Sequence, residues 1–171
     1  MTQGYVTIAT KSADDKQIKQ AVALASSLKL IDPDREFCLI VDSFSVVPEK
    51  YENSFDSIVE LPYGNYDPTE DIAINLWQVY SCSPYEQTMY FDRHVLVTVS
   101  LDDIWDSVTL HDYIFTPQTV NYRGESITGS EQFYVHKKNK LPTYYTDVFY
   151  FGKNERSQQL FKMLDVVLKE F

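Results

Sequence analysis

Asp92, Arg93 and His94 stand together at the end of an apolar run, and their side chains are of types that bind cations or phosphates. The run, Thr88–Phe91, is typical of a buried strand and ends on Asp92, and a second apolar run, Val95–Val97, begins only two polar residues after that acid. An unpaired carboxylate between two buried runs would lose its hydration, which is costly in free energy. Two interpretations stay open. Asp92 ends a strand in a cleft where a cation or polar ligand compensates its charge, or it only caps a turn.

Polar residues also close two earlier apolar runs. Ala9, Thr10 and Lys11 end the first run, and Asp42 ends the second, Phe37–Val41. In an open parallel sheet, ligands bind outside the carboxyl ends of the strands. These strand ends are therefore candidates for one cleft, together with the triplet at residues 92–94. The alternative is that they are the polar turns in which strands usually end.

The elements that would carry these residues follow from the apolar patterns. Strand, helix, strand, short helix and strand succeed one another in the N-terminal part, the order of a parallel sheet with crossover helices. We predict an α/β fold in one domain, residues 1–171, with a mostly parallel central sheet flanked by helices. Predicted strands are 5–10, 36–42, 57–61, 88–92, 113–115 and 147–151, and predicted helical segments are 48–51, 71–80, 101–105 and 157–171. The last helix, residues 157–171, is predicted to be amphipathic, with an apolar face of Leu160, Phe161, Leu164, Val167 and Leu168. Residues 63–68 form a predicted loop, and residues 117–145 are the least regular part.

A further helix is predicted after the first strand. Ser12 or Asp14 would cap its beginning, and Asp32-Pro33-Asp34 would end it. Its apolar face consists of Ile18, Ala21, Val22, Ala25 and Leu28.

The composition argues against several classes of function. The formal net charge is −10, which repels nucleic-acid backbones and anionic membrane surfaces, and only 5 Gly are available for phosphate-binding loops. The N-terminus has no signal pattern, and no stretch is long enough to span a bilayer. Cys38 and Cys82 lie in or beside apolar runs, as buried thiols do in a reducing compartment. We therefore predict a soluble, cytoplasmic protein that does not bind nucleic acid.

Three stretches of the chain resemble the GT-A nucleotide-diphosphosugar glycosyltransferases, especially the family 8 type of glycogenin and bacterial galactosyltransferases. Residues 5–10 and the helix through 21–28 resemble the opening strand and helix of that family. Residues 75–97 resemble its central segment, in which an Asp-x-Asp motif ends a strand, and residues 101–106 match the helical turn that follows. Asp147–Phe151 resembles the later strand that leads into a helix.

The resemblance implies transfer of a sugar from a nucleotide-diphosphosugar, possibly a UDP-sugar, to an unknown acceptor. A divalent cation stabilises the charge on the departing nucleoside diphosphate in such a reaction. It implies that Asp92 and His94 bind Mn²⁺ or Mg²⁺, since manganese also accepts imidazole, and that Asp147 acts on the acceptor hydroxyl or the sugar. The implied donor-binding residues are Ala9, Thr10, Lys11, Asp42, Trp77 and Arg93. Arg93 has the alternative of a salt bridge with Asp102 or Asp103, and Asp14 or Asp15 is a further candidate for a ribose or base contact.

The sequence also departs from the family pattern. His94 replaces the second acid of the motif, Leu76 stands where a basic residue is common, and Tyr145–Val148 lacks the amide of an Asn-x-Gly-Val pattern. No His-x-x-Gly-x-x-Lys segment occurs, since neither His111 nor His136 is followed by its Gly and Lys. The alternative function is therefore a catalytically degenerate GT-A-fold protein that binds nucleotide sugars or serves as a structural or interaction module. A sugar-1-phosphate nucleotidyltransferase is rejected, because residues 10–14 are not a Gly-rich loop.

Overall fold

Strands and helices alternate along the chain in the order that the apolar patterns predict. The computed structural model describes residues 1–11, 15–64, 72–116, 120, 123–125, 138 and 145–170. The strands are β1 (Gln3–Ala9), β2 (Glu36–Val41), β3 (Ser57–Glu60), β4 (Gln87–Phe91), β5 (Tyr113–Thr116) and β6 (Tyr145–Gly152). The α-helices of the described ranges are α1 (Lys16–Ile31), α2 (Glu49–Glu52), α3 (Val79–Cys82), α4 (Asp102–Val108) and α5 (Glu155–Glu170), and 3₁₀ helices cover Phe44–Val46 and Ile72–Gln78.

The strands form one six-stranded sheet in the order β3-β2-β1-β4-β6-β5. The first four of these strands are parallel, whereas β6 is antiparallel to both β4 and β5. The predicted α/β class with a mostly parallel sheet is confirmed. Because β6 runs against β4, the beginning of β6 lies at the same edge as the carboxyl ends of β1, β2 and β4. Asp147, the third residue of β6, therefore joins the strand-end residues at that edge.

Helices cover both faces of the sheet, which explains why its central strands are apolar at nearly every position. On one face, α1 and α4 pack against the strands through residues such as Leu24 and Trp105. On the other face, α3 and α5 contribute Val79 and Phe161 to a second cluster. The polar ends of the strands are thus held by a core on each side.

Helix α1 confirms the predicted apolar face but not the predicted capping residue. Ile18, Ala21, Ala25 and Leu28 are buried, and the helix ends at Ile31 as predicted. The N-cap position is Asp15, whose backbone has a φ of 54° and whose side chain makes no capping hydrogen bond. Ser12 and Asp14 lie outside the described residues, as do most of residues 63–68 and 117–145 that were expected to be irregular.

The helix predicted over residues 71–80 is a 3₁₀ helix over Ile72–Gln78 followed by the single turn of α3. Gln78 is fully buried. Its side chain accepts a hydrogen bond from the Tyr63 amide at 3.2 Å and donates one to the Gly64 carbonyl at 2.9 Å. Hydrogen bonds from Gln78 to the segment after β3 therefore hold the end of the 3₁₀ helix in place. The spacing of apolar residues does not predict these contacts.

Helix α5 is amphipathic as predicted, with one difference. Asn154 caps it, since its Oδ1 accepts a hydrogen bond from the Ser157 amide at 3.0 Å. Phe161 is buried, but Val167, predicted on the same face, is 50% exposed. Both cysteines are buried free thiols, and no helix among the described residues is long and apolar enough to cross a membrane.

Candidate functional site

Asp92 and Asp147 face each other at the carboxyl edge of the parallel strands. The register pairs Phe91 with Val148, and the Asp92 amide donates a hydrogen bond to the Asp147 carbonyl at 2.6 Å. Side chains two residues apart on a strand share a face. The two acids therefore continue the face on which Tyr90 and Phe149 stack, with ring centroids 4.6 Å apart. Antiparallel β6 brings together two acids that are 55 positions apart in the numbering of the sequence.

The Asp92 carboxylate caps the turn that follows β4 and also contacts His94. Its Oδ1 accepts a hydrogen bond from the His94 amide at 2.8 Å and lies 2.6 Å from His94 Nδ1. The Val95 amide donates to the Asp92 carbonyl at 3.0 Å, which closes the turn. An ionised carboxylate can only accept, so Nδ1–H is the donor when Asp92 is ionised. The turn interpretation and the ligand interpretation of Asp92 are therefore compatible, because His94 remains 55% exposed.

Arg93 adds a positive charge beneath this pair. Its side chain is only 11% exposed, and Nη1 lies 3.9 Å from Asp92 Oδ2. Its Nε is buried and has no hydrogen-bond partner among the described residues. Among the described residues Arg93 pairs with Asp92. The alternative salt bridge to Asp102 or Asp103 is not among the ion pairs of those residues.

Asp147 is an exposed residue of β6, but neighbouring protein atoms partly desolvate its carboxyl group. Burial by the surrounding protein and the nearby Asp92 carboxylate raise the pKa of Asp147, and His94 offsets part of that rise. Burial raises the pKa of Tyr90 in the same cluster, and Asp92 adds to the rise. Negative charge is thus concentrated at the end of β4 and the beginning of β6, a place that favours a cation.

A second part of the edge surrounds the ends of β1 and β2. A cavity of about 230 Å³ is lined by Thr10, Lys11, Asp15, Ile18, Ser45, Val46 and Pro48. The Lys11 amide donates to Asp42 Oδ2 at 3.3 Å, while Asp42 Oδ1 is buried with no hydrogen-bond partner among the described residues. Asp42 does not line the cavity itself, but it holds the backbone of Lys11, which does.

Ala9 and Thr10 have more limited roles than Lys11. Ala9 is fully buried in the core, backbone included, so it exposes no atom to a ligand in this structure. Thr10 donates from its amide and from its hydroxyl to Gln17 Oε1, at 2.8 and 3.2 Å. Gln17 is not among the predicted site residues, although a polar residue on the apolar face of the predicted helix, four positions before Ala21, indicates a buried polar contact.

Trp77 and His111 lie apart from the cavity at β1 and β2. Trp77 is 8% exposed and stacks on Tyr63, in a cleft beside α5. His111 lines a cavity with Glu86 and Asp112 at the opposite edge of the sheet. His136 and Asp14 lie outside the described residues.

The metal-binding potential of the described residues rests on a pair and not on a larger cluster. No group of three or more His, Cys, Asp or Glu side chains in those ranges could hold an ion. Asp92 Oδ1 and His94 Nδ1 are nevertheless directed at one another. Adjacent ligands of a six-coordinate cation, each about 2.1 Å from the ion, lie roughly 3 Å apart. Asp92 Oδ1 and His94 Nδ1 are 2.6 Å apart, so binding one ion through both atoms would require them to separate slightly and the proton between them to leave.

The fold is similar to that of solved glycosyltransferases. Galactosyltransferase LgtC, in complex with donor and acceptor sugar analogues, aligns with a TM-score of 0.58 at 16% identity over 98% of this chain and 65% of its own. Glycosyltransferase GlyE of Streptococcus pneumoniae gives 0.60 at 12% identity over 99% of this chain and 39% of its own. Core-mannan synthase A of Aspergillus fumigatus, in its Mn/GDP form, gives 0.55 at 12% identity over 98% and 64%.

This chain covers only part of each of these glycosyltransferases. The chain spans 65% of LgtC, 39% of GlyE and 64% of the mannan synthase. No family model and no curated protein sequence matches the chain. The shared sheet and flanking helices nevertheless extend over nearly all of this chain. It has the GT-A fold of nucleotide-sugar glycosyltransferases.

Proposed function

We propose that this chain is a glycosyltransferase that takes a sugar from a nucleotide-diphosphosugar donor such as a UDP-sugar. The observation that carries the proposal is the convergence of Asp92, His94 and Asp147 at the carboxyl edge of the sheet. In an open α/β sheet that edge is where ligands bind. The likeness to LgtC with its sugar analogues supports the same class of substrate. The family 8 assignment and the acceptor remain predictions.

Asp92 and His94 are the proposed ligands of a divalent cation, Mn²⁺ or Mg²⁺. When bound, the cation would neutralise charge on the departing nucleoside diphosphate. Two protein ligands suffice for such a site, because diphosphate oxygens and water complete the coordination of Mg²⁺ in many nucleotide enzymes. The mannan synthase in its Mn/GDP form supports the choice of a metal and a nucleotide.

The remaining residues of the edge bind and orient the substrates in this proposal. Arg93 meets a diphosphate with its guanidinium, whose planar donors match phosphate oxygens. Lys11 lines the adjacent cavity and Asp42 holds its amide, and these two residues are the proposed contacts of the nucleoside. Asp147 accepts a hydrogen bond from the acceptor hydroxyl, and its raised pKa makes it a stronger base than an ordinary aspartate.

Calorimetric titration tests this assignment. We expect UDP or GDP to bind in the presence of Mn²⁺ and to bind much more weakly when EDTA removes the metal. Asp92→Ala should abolish the metal-dependent part, because it removes both the carboxylate ligand and the group that orients His94. Absence of binding by the wild-type chain at millimolar nucleotide would contradict the proposal.

Asp106→Asn is a matched control, since Asp106 is an exposed acid on α4. It changes the net charge by the same amount as Asp92→Ala and should leave nucleotide binding unchanged. Incubation with UDP-galactose, UDP-glucose and GDP-mannose then tests turnover by release of the nucleoside diphosphate. Metal-dependent binding with no hydrolysis or transfer from any donor would favour the degenerate binding module.

A further inference from the structure

An aromatic cleft lies between the second 3₁₀ helix and α5, apart from the cavity at β1 and β2. Its volume is about 190 Å³, and aromatic side chains form much of its lining. The aromatic members are Tyr63, Trp77, Tyr80 and Phe161, and the polar members are Ser81, Gln158, Lys162 and Asp165. None of the acids placed at the Asp92 edge lines it.

The aromatic surface is held in place by the protein. Tyr63 and Trp77 stack with their ring centroids 5.3 Å apart and their planes at 27°. The Tyr63 amide donates to Gln78 Oε1 at 3.2 Å, so the backbone of the platform is anchored to a buried side chain. On the other side, Tyr80 packs against Phe161 with centroids 5.4 Å apart. Tyr63 is nevertheless 63% exposed, which leaves ring surface available to a ligand.

The rim of the cleft is polar and has little net charge. Lys162 and Asp165 are three positions apart on α5, so one positive and one negative group lie on neighbouring turns. Ser81 and Gln158 add a hydroxyl and an amide, each able to donate and accept hydrogen bonds. A phosphate would be attracted by Lys162 but repelled by Asp165. A neutral ligand with several hydroxyl groups can form hydrogen bonds with all four polar side chains of the rim.

We propose that this cleft binds a neutral pyranose unit, such as one residue of a glycan chain. A sugar ring has an apolar C–H face, which packs on an aromatic ring, and hydroxyl groups at its edge, which suit the polar rim. The volume is that of a small pocket and accommodates one ring. This site is distinct from the proposed donor site, and it stands whether or not the Asp92 edge transfers a sugar. It would hold a glycan to the enzyme at a high local concentration.

The two tryptophans of the chain allow a direct test. Trp77 lines the cleft, whereas Trp105 is buried on the opposite face of the sheet, where its Nε1 donates to Tyr5 Oη at 2.9 Å. Methyl galactoside, methyl glucoside and methyl mannoside are titrated into ¹⁵N-labelled protein without nucleotide or metal. We expect at least one of them to shift the Trp77 indole resonance while the Trp105 resonance stays fixed.

Three variants separate stacking from indirect effects. Tyr63→Ala should weaken the sugar's affinity roughly three- to tenfold, the range that one aromatic contact supports. Tyr63→Phe keeps the ring and should retain most of the binding. Tyr113→Ala removes another exposed tyrosine, on β5, and should bind like the wild type.

Each other outcome contradicts the proposal. No shift with any of the three glycosides at high millimolar concentration would overturn it, as would equal shifts of both indole resonances. A shift of the Trp77 resonance with uridine but with no glycoside would instead identify a nucleoside site. The glycoside titration contains no nucleotide and no metal. Its result therefore does not depend on whether UDP binds in the separate calorimetric experiment, and the two proposals can fail independently.

Discussion

Asp92 is the residue whose position and partners carry most of the functional argument. The sequence places it at the end of a strand and leaves open whether it caps a turn or meets a ligand. In the structure its Oδ1 caps the turn by accepting a hydrogen bond from the His94 amide, and the same oxygen contacts His94 Nδ1. In the proposed metal site, a histidine two residues after an aspartate would supply the second ligand with one negative charge fewer than an Asp-x-Asp motif. The opposing acid, Asp147, restores part of that charge from another strand.

The charge coupling between Asp147 and Asp92 is measurable. Burial and the Asp92 carboxylate both raise the pKa of Asp147. Asp92→Asn removes the second cause, so we expect the pKa of Asp147 to fall toward the ordinary value of about 3.9 while burial keeps it above that value. Titration of the Asp147 side-chain carbonyl by NMR measures this shift. An unchanged pKa would show that the two carboxylates do not interact.

The raised pKa also sets the sign of a stability effect. The folded protein holds the Asp147 proton to a higher pH than the unfolded chain does, so stability falls as pH rises from about 3.9 through the folded pKa. Asp147→Asn should therefore be more stable than the wild type at pH 7. At about pH 3 both forms are neutral, and the difference should disappear. Urea denaturation at the two pH values checks the sign.

At the scale of elements, local patterns predict the strands and helices well but not how they are directed in space. The apolar runs correctly predict six strands and the apolar face of α1. Nothing in the run Val148–Phe151 encodes that β6 is antiparallel to β4, because a strand buried on both faces reads the same in either direction. That direction is what brings Asp147 beside Asp92. Likewise, the 3₁₀ conformation of Ile72–Gln78 depends on distant contacts of Gln78.

Close packing beneath β1 gives a prediction at this scale. A Cβ added at Gly4 would overlap the ring of Tyr85, which is 2% exposed and has no room to withdraw. We expect Gly4→Ala to lower the free energy of unfolding by about 1 to 3 kcal/mol, the usual cost of overpacking a core. Urea denaturation measures the change.

Gly152 supplies the matched control, since the nearest atom to its added Cβ is Asn154 Nδ2 at an ordinary 3.4 Å. Gly152→Ala should therefore have a smaller effect than Gly4→Ala. In a Tyr85→Leu background the smaller side chain leaves more room, so Gly4→Ala should be less destabilising there than in the wild type. Equal effects in both backgrounds would mean that the overlap with Tyr85 is not the cause.

At the scale of the whole molecule, the chain combines a net charge of −10 with a core rich in tyrosine. Tyr5, Tyr85 and Tyr90 are among the largest fully buried side chains, and they lie on both faces of the sheet. Tyr5 donates a hydrogen bond to Asp32 at 2.6 Å and accepts one from Trp105, so its hydroxyl connects β1 to α4. Composition reveals the number of tyrosines, but only the structure shows how many of their hydroxyl groups are buried.

These buried groups predict a gradual loss of stability in alkali. Burial raises the pKa of Tyr5 to about 12, that of Cys38 to about 11 and that of Cys82 to about 12, and it also raises the pKa of Tyr85 and Tyr90. In the unfolded chain, thiols lose their protons near pH 8.5 and phenols near pH 10. The folded state binds more protons than the unfolded chain above about pH 8.5, so the free energy of unfolding must fall as pH rises further.

Urea midpoints measured from about pH 7 to 11 should hold steady at first and then decrease with increasing slope above about pH 9. Tyr5→Phe should reduce that slope at the alkaline end, although it lowers stability at pH 7 by removing a buried hydrogen-bond partner. Midpoints that stay constant up to about pH 11 would contradict the idea that these hydroxyl and thiol groups are protected by the fold.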